Sequence, residues 1–475
     1  MLFNSIEFLF IFLPIVFVIY FLLNNFKFYT ASKIWLIIAS LFFYANYKFN
    51  YLHIIISSVI FNFFMGKILQ KNISEFVNKK IVLAFTLVCN LLLLCYFKYF
   101  DFLIEILNAN LHTQFNTMNL LLPLGISFFT FQQISYIVDC YKGEIKDTNF
   151  IDYILFVTFF PQLVAGPIIQ YREIVPQFQD NSKKNINSQN ISAGFFLITI
   201  GLAKKVLLAD NFAPFISQTL NGLSNLDFLN SWFLALSIGS QGYFDFSGYC
   251  DMALGIALLF NITILPNFNS PYQSVDISDF WRRWHISLGK FMKYYVYIPL
   301  GGSRVGTLKT YRNLFFVFLL IGVWHGANIP CIMYGVVNGI LVCFNKFWKS
   351  LKIEMNKYLA IAITYATMIF ICPLVLVKSF HEFLKVFYAM TGMQTVFKLP
   401  SVSEFSLVFN NGSALNIFLI SISLIIVLFV QNSNELCEKY LKGNKEIISL
   451  AVILLFIIST LCINRCPNEF IYFQF

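Results

Sequence analysis

Two of the five histidines in this chain sit where an imidazole could do chemistry. His325 lies in IGVWHGANIP, inside a run from Asn313 to Asn345 that carries no charged residue. Counted from Arg312, a helix rising ~1.5 Å per residue puts it roughly 20 Å along, near the middle of a ~30 Å hydrocarbon layer. An ionisable side chain at that depth marks a functional site. A neutral imidazole there can accept a proton, so the chemistry indicated is general-base catalysis; the structural alternative is a packed histidine bridging two helices. Gly322 and Gly326, four apart, are expected on one helix face where they permit close backbone approach. Pro330 is expected to free a carbonyl one turn away.

His285, in WRRWHISL, belongs to the densest chemical region, Gly242 to Arg304. Asp245, Asp251, Asp276, Asp279, Arg282, Arg283, Lys290, Lys293 and Arg304 crowd a stretch otherwise full of aromatics. Seven basic residues from Arg282 to Arg312 fit an anion site, arginine offering forked donors to phosphate and lysine a point charge. They equally fit a membrane-anchoring surface with Trp281 and Trp284 as an interfacial belt. His285 itself reads two ways, as a reacting group or as a hydrogen-bonded structural one.

The elements that hold these residues are set by composition. Hydrophobic residues make up 58% of the chain and charged ones 12%, with mean hydropathy +0.71, whereas soluble proteins carry about 25% charged residues. The fold class expected is an all-α integral membrane protein, since the apolar runs far exceed the ~10-residue segments of a barrel. Runs at Phe8 to Phe26, Phe102 to Val138 apart from Glu105, Tyr358 to Val377, Phe405 to Asn434 and Ile447 to Asn464 lead us to expect about eleven spans or half-spans. The first run has no basic start and no small-residue cleavage site, so it is read as a retained helix. The ten cysteines include no CxxC pair and no histidine stands at metal spacing; neither a disulfide framework nor a metal site is expected.

The net charge of +10 fits lysine-rich cytoplasmic loops better than a nucleic-acid surface. One loop is marked by Lys71, Lys79 and Lys80, another by Lys183, Lys184, Lys204 and Lys205. Further clusters are Arg304, Lys309 and Arg312, then Lys346, Lys349, Lys352 and Lys357, then Lys439, Lys442 and Lys445. The 33 uncharged residues between Arg312 and Lys346 therefore begin and end on the cytoplasmic side. They divide into two pieces of about 16, each somewhat short of a crossing, so a hairpin dipping to mid-membrane with His325 near its deep part is expected. A last span at Ile447 to Asn464 delivers the C-terminal residues to the outer face. With no repeat and no low-complexity linker, and with Gln177 to Asn190 read as one inter-helix loop, residues 1–475 are taken as a single polytopic domain with an extracytoplasmic tail at 465–475.

Six ordered motifs then resemble one family. PLGISFFTFQQISYIVDCYKG from Pro123, FFPQLVAGPIIQYREIVPQF from Phe159, GYFDFSGYCDMALG from Gly242, FNSPYQSVDISDFWRRWHISL from Phe268, YIPLGGSR from Tyr297 and GVWHGAN from Gly322 resemble the membrane-bound O-acyltransferase (MBOAT) family, in its bacterial alginate and peptidoglycan O-acetylation branch. The resemblance implies re-entrant helices around a central funnel. It implies transfer of an acetyl group from a cytoplasmic thioester, acetyl-CoA, across the bacterial inner membrane to a cell-envelope glycan, completed by a periplasmic or surface O-acetyltransferase. His325 matches the family's essential histidine and His285 its second, and the basic cluster at Arg282 and Arg283, with Trp281 and Trp284, would face the donor. The ending FIYFQF resembles an FxYF-like acceptor, with Tyr472 as the relay hydroxyl. A phenol is a poor nucleophile at pKa ~10 until a neighbouring imidazole takes its proton. One segment departs from the family pattern: where relatives carry an arginine the chain reads IFICPLVLVKSFHEFLKVFYAMTGM, leaving Lys378 or His381 to replace it.

Three classes compete: an acetyl exporter for an envelope glycan, a transporter or channel gated by histidine, and a scaffold. A transporter should show repeated halves or several intramembrane carboxylates, and the sequence is read as having neither; a scaffold has no use for a histidine at membrane depth. Peptidoglycan is the favoured acceptor, on a chain rich in Phe (58 residues), Lys, Asn and Ile as expected of an AT-rich genome, with alginate or another exopolysaccharide as the alternative.

Overall fold

The computed structural model describes residues 1–71, 78–164, 166–223, 226–393, 413–443, 445–463, 465 and 470. These residues form helices and connecting turns with no β-strand among them. They fall into two compact units. The first comprises 1–201, 249–266 and 437–456, the second 202–248, 267–436 and 457–475.

In chain order the helices are α1 (Leu13–Asn25), α2 (Tyr29–Ala45), α3 (Leu52–Gln70), α4 (Lys79–Leu111), α5 (Ile126–Tyr141), α6 (Phe150–Thr158), α7 (Phe160–Leu163), α8 (Tyr171–Gln179) and α9 (Ser188–Ala203). Next come α10 (Asp210–Asn221), α11 (Phe228–Leu259), α12 (Ile277–Arg283), α13 (Ile286–Met292), α14 (Thr307–His325), α15 (Ile329–Ser350), α16 (Lys357–Ile371) and α17 (Phe380–Met390). The last are α18 (Ser413–Phe429), α19 (Ser433–Lys442) and α20 (Lys445–Cys462). Their starts follow local rules. Asn78, Asn149, Asp276, Asn328, Asn356 and Ser379 each accept a backbone N–H with the side chain, satisfying donors that a helix start leaves open.

Within the first unit, polar side chains tie helices together where lipid offers no hydrophobic drive for association. Asn62 of α3 and Asn90 of α4 exchange reciprocal amide hydrogen bonds of 3.0 and 2.7 Å. Gln133 of α5 donates to Ser58 (3.0 Å) and accepts from the Tyr153 hydroxyl (3.2 Å). Lys33 meets Asp152 at 2.6 Å, and Gln179 donates to the same carboxylate at 2.8 Å. The other faces are apolar and open: Ile81, Phe85, Val88 and Leu92 of α4 are each more than half exposed, a face that needs lipid to cover it.

Among the described residues, six helices are long and apolar enough to cross a membrane, or seven if the bent pair Leu415–Phe429 and Ser433–Lys442 counts as one span. Two shorter apolar helices, Tyr29–Ala45 and Glu446–Cys462, accompany them. The helices α11 and α14 carry too many polar residues to count among these apolar spans, and the expectation of about eleven spans or half-spans also takes in shorter segments that this count leaves out. The expected apolar run from Phe102 to Val138 is also broken, since α4 ends at Leu111, His112 and Asn119 take left-handed conformations, and helix resumes only at Ile126. Two further readings are corrected. Gln177 to Asn190 is not one loop but the end of α8, a 3₁₀ turn at Asn181–Lys184 and the start of α9. Lys204 and Lys205 are not in a loop with Lys183 and Lys184; they open a π-helical segment, Lys204–Ala209, inside a helical run from Ser188 to Asn221. Of the loop pair, Lys184 is buried with its ammonium on the Phe178 carbonyl (2.7 Å), and burial, with Lys33 nearby, brings its pKa down to about 8.

Candidate active site

His325 is the last residue of α14, and the chain turns back through Gly326 to Asn328 into α15. A hairpin was expected and a hairpin is found, but its second arm is longer, since α15 continues past Asn345 to Ser350 and is long enough to cross a membrane alone. The two arms pack backbone to backbone: a Cβ added to Gly322 would stand 2.5 Å from the Gly335 Cα. Gly326 does not share a helix face with Gly322. It is extended at φ −164°, ψ 150° and closes the turn against the Cys331 sulfur, where a Cβ would come to 2.7 Å. Nor does Pro330 free a carbonyl, because it stands in the first turn of α15, where its missing N–H has no intrahelical partner to lose.

The histidine is thereby fixed at a helix C-terminus, whose carbonyl end favours positive charge and so an imidazolium formed when the ring takes a proton. Its side chain is 4% exposed. Trp324 lies 4.9 Å away and Tyr334 of α15 5.7 Å away, centroid to centroid.

His285 reaches the same cluster from the break between α12 and α13. Its ring is 5.7 Å from Trp324 and 4.8 Å, edge-on, from Phe246 of α11. Asn267 clamps this turn: its side-chain oxygen lies 3.3 Å from His285 Nδ1 and accepts the Ser287 N–H at 3.0 Å, and its backbone carbonyl accepts from Ile286 at 3.0 Å. His285 takes the left-handed conformation φ 47°, ψ 55°, which side chains other than glycine, asparagine and aspartate seldom adopt. Such strain collects at functional sites. The residue is 1% exposed and outside every helix long enough to span. Burial, with His325 adding repulsion, holds its pKa well below the ordinary 6.5, so the ring is neutral.

The tryptophans named from sequence are packing residues of this unit rather than a lipid-facing belt. Trp281 donates to Asn338 at 3.2 Å, and Asn338 in turn donates to the Tyr334 carbonyl at 2.9 Å, linking α12 to the residue that meets His325 edge-on. Trp284 stacks on Phe280 at 5.5 Å and meets Phe268 edge-on at 5.1 Å. Arg282 and Arg283 both pair with Asp279, at 3.3 and 3.0 Å, Arg282 with 67% of its side chain exposed. Tyr472 lies outside the described residues. Phe470 does not: it is 1% exposed and 5.9 Å from Phe246, the ring that touches His285. Lys378 and His381 are exposed.

Sequence reasoning missed Asn267, a common residue type 18 positions from the ring it holds, and Asn338, which was legible as a polar residue in an uncharged run. It also missed a buried ion cluster. Lys205 pairs with Asp210 at 2.7 Å and with Asp245 at 2.8 Å, all three side chains at most 3% exposed. Buried carboxylates in helices are therefore present, and their supposed absence no longer argues against a transporter. Among the described residues no group of three His, Cys, Asp or Glu side chains converges to hold a metal ion.

Similarity to known proteins decides the class. Residues 126–380 match the profile of the MBOAT, membrane-bound O-acyltransferase family. Over its whole length the chain is 38% identical to the peptidoglycan O-acetyltransferase of Helicobacter pylori, covering 98% of that protein. It is 38% identical over 73% of its length to the probable alginate O-acetylase AlgI of Pseudomonas aeruginosa, covering 66% of that protein. It is 29% identical over 54% of its length to the teichoic acid D-alanyltransferase of Bacillus subtilis, covering 68% of it. These matches favour an enzyme over a transporter, and α14, α15 and the His285 turn all lie inside the matched region. The chain belongs to the membrane-bound O-acyltransferase family, and it is an acyltransferase.

Proposed function

We propose that the protein moves acetyl groups from cytoplasmic acetyl-CoA through the inner membrane for O-acetylation of peptidoglycan, with His325 as general base. The observation that carries this reading is the single buried cluster of His285, Trp324, His325 and Phe246, with Phe470 of the C-terminal tail packed on Phe246. Two motif histidines forty residues apart meet there with Phe470, the first residue of the FIYFQF segment that holds Tyr472. Phe470 stands two residues before Tyr472 in the sequence, which supports the reading of Tyr472 as the acceptor.

In the proposed step the Tyr472 hydroxyl gives its proton to His325 as its oxygen forms a bond to the acetyl carbonyl. The carbon–sulfur bond breaks, and the departing thiolate recovers the proton from the imidazolium. His285, neutral and locked by Asn267, orients the ring system. Exposed Arg282, anchored by Asp279, meets the donor's phosphates from the cytoplasmic side. A periplasmic or surface transferase then takes the acetyl group from the aryl ester to the glycan. The full-length match to a peptidoglycan O-acetyltransferase supports this acceptor over alginate, for which the compared relative aligns over 73% of the chain.

The test is wall analysis with labelled acetate in cells carrying wild type, His325→Ala or Tyr472→Phe. Both variants are expected to lose glycan O-acetyl. Loss with His325→Ala alone discards the tyrosine relay, and normal O-acetylation in both sinks the mechanism. In cells lacking the downstream transferase, mass spectrometry of the C-terminal peptide should show acetylated Tyr472.

A further inference from the structure

Away from the histidine cluster, a cavity of about 510 Å³ opens between the C-terminal half of α15 and the N-terminal half of α16. Its wall is apolar, with Leu341, Phe344 and Trp348 on one side and Ala360 and Ile363 on the other. Its mouth carries Lys349 and Lys357. Phe344 and Ile363 are 56% and 47% exposed, so the wall opens outward.

We propose that this groove binds one anionic phospholipid, its phosphate between Lys349 and Lys357 and an acyl chain along the cleft between α15 and α16. Three observations converge. The first is length: from Lys357 to Thr367 the α16 wall runs ~15 Å, and from Lys349 to Leu341 the α15 wall runs ~12 Å, close to the ~15 Å depth of one leaflet's hydrocarbon. The second is charge. Lys346, Lys349, Lys352 and Lys357 crowd the α15–α16 connection against the lone Glu354, a juxtamembrane basic cluster of the kind that recognises anionic headgroups. Lys349 is already held by Asp276 at 2.8 Å, which leaves Lys357, exposed and in no ion pair with that carboxylate, as the main phosphate contact. The third is position. Both walls are helices long and apolar enough to span, so the groove faces the bilayer where a lipid is the molecule at hand. Asn345 lines the groove and donates to Asp276 (2.9 Å) and Ser278 (2.7 Å), so an occupying lipid braces the start of α12, the helix that carries Arg282 and Arg283.

Trp348 in the groove supplies the readout. The full-length protein is reconstituted in phosphatidylcholine vesicles doped with dibrominated phosphatidylglycerol or dibrominated phosphatidylcholine. The quenching lost in Trp348→Phe is taken as the groove signal. Brominated phosphatidylglycerol is expected to quench that signal at a several-fold lower mole fraction than the choline lipid. Lys357→Gln should erase the difference, and Thr364→Phe, which fills the cleft, should reduce quenching by both lipids. Equal quenching by the two lipids would mean an ordinary lipid annulus and would overturn the proposal. So would a preference that survives Lys357→Gln in protein whose thermal unfolding is unchanged. Native mass spectrometry of wild type in detergent should show one retained phosphatidylglycerol mass that Thr364→Phe lacks.

Discussion

His285 combines a left-handed backbone, an edge-on phenylalanine and a clamp from Asn267, and the three make different demands on what can replace it. Asparagine tolerates positive φ, whereas a β-branched residue there is a severe outlier. His285→Asn should therefore fold and lose acetylation, while His285→Val, carrying strain of about 1–3 kcal/mol, should also unfold at a visibly lower temperature; fluorescence-detected size exclusion after heating compares them. Equal thermal stability of the two variants would remove strain from the account. At this scale the sequence was informative where chemistry is rare. A histidine in an uncharged run announces itself, and so does a histidine directly after a Trp-Arg-Arg-Trp run. Asn267 does not, since its role exists only when the chain folds it beneath a ring 18 residues later.

The α14–α15 hairpin owes its tightness to two glycines, and the pairing is sharper than the spacing of Gly322 and Gly326 implied. Gly322 meets Gly335 across the helices, so Gly335→Leu must push the arms apart and is expected to abolish expression of folded protein, whereas Gly242→Ala, at a helical position with open space around the new methyl, should not. The helix before the site is held by charge. Burial alone would raise the Asp276 carboxyl, but Lys349 at 2.8 Å, the Asp279 N–H at 2.9 Å and the Asn345 amide at 2.9 Å hold it below its ordinary 3.8. A carboxyl lowered on folding stabilises the fold above the unfolded value, and that stabilisation disappears as pH falls through the folded one. Asp276→Asn keeps a good capping side chain, so it should unfold at a lower temperature than wild type at pH 7, with the gap closing in acid below pH ~4. A gap that persists in acid would show that the ion pair is not its source. The hairpin itself was legible because basic clusters bracket an apolar run; its true arm lengths were not, since helices continue through lysines wherever the side chains can reach water.

For the molecule as a whole, the buried Lys205, Asp210 and Asp245 cluster revises the charge map. Two lysines taken as a loop marker stand in a π-helical break within a long apolar helix, and hydropathy has no means of telling a loop lysine from one neutralised, as Lys205 is, by one carboxylate on the next turns and another from a sequence-distant helix. Removing one partner of a buried pair costs about 3–5 kcal/mol, so Lys205→Met should be strongly destabilised in a thermal assay, and Lys205→Met combined with Asp245→Asn should recover part of the loss. A double variant no better than the single would mean that uncompensated charge is not the cause.

The Gly322–Gly335 contact also has a consequence for how the protein is made. His325 leaves the ribosome before the strand of helix that walls it in, and Gly335 follows ten residues later, a delay of about 0.5–2 s at ~5–20 residues per second. Until then α14 lacks the neighbour that covers its glycine face and sets Tyr334 edge-on to the imidazole. The two arms therefore have to leave the insertion machinery as a pair, and the site comes into being only when the second arm arrives.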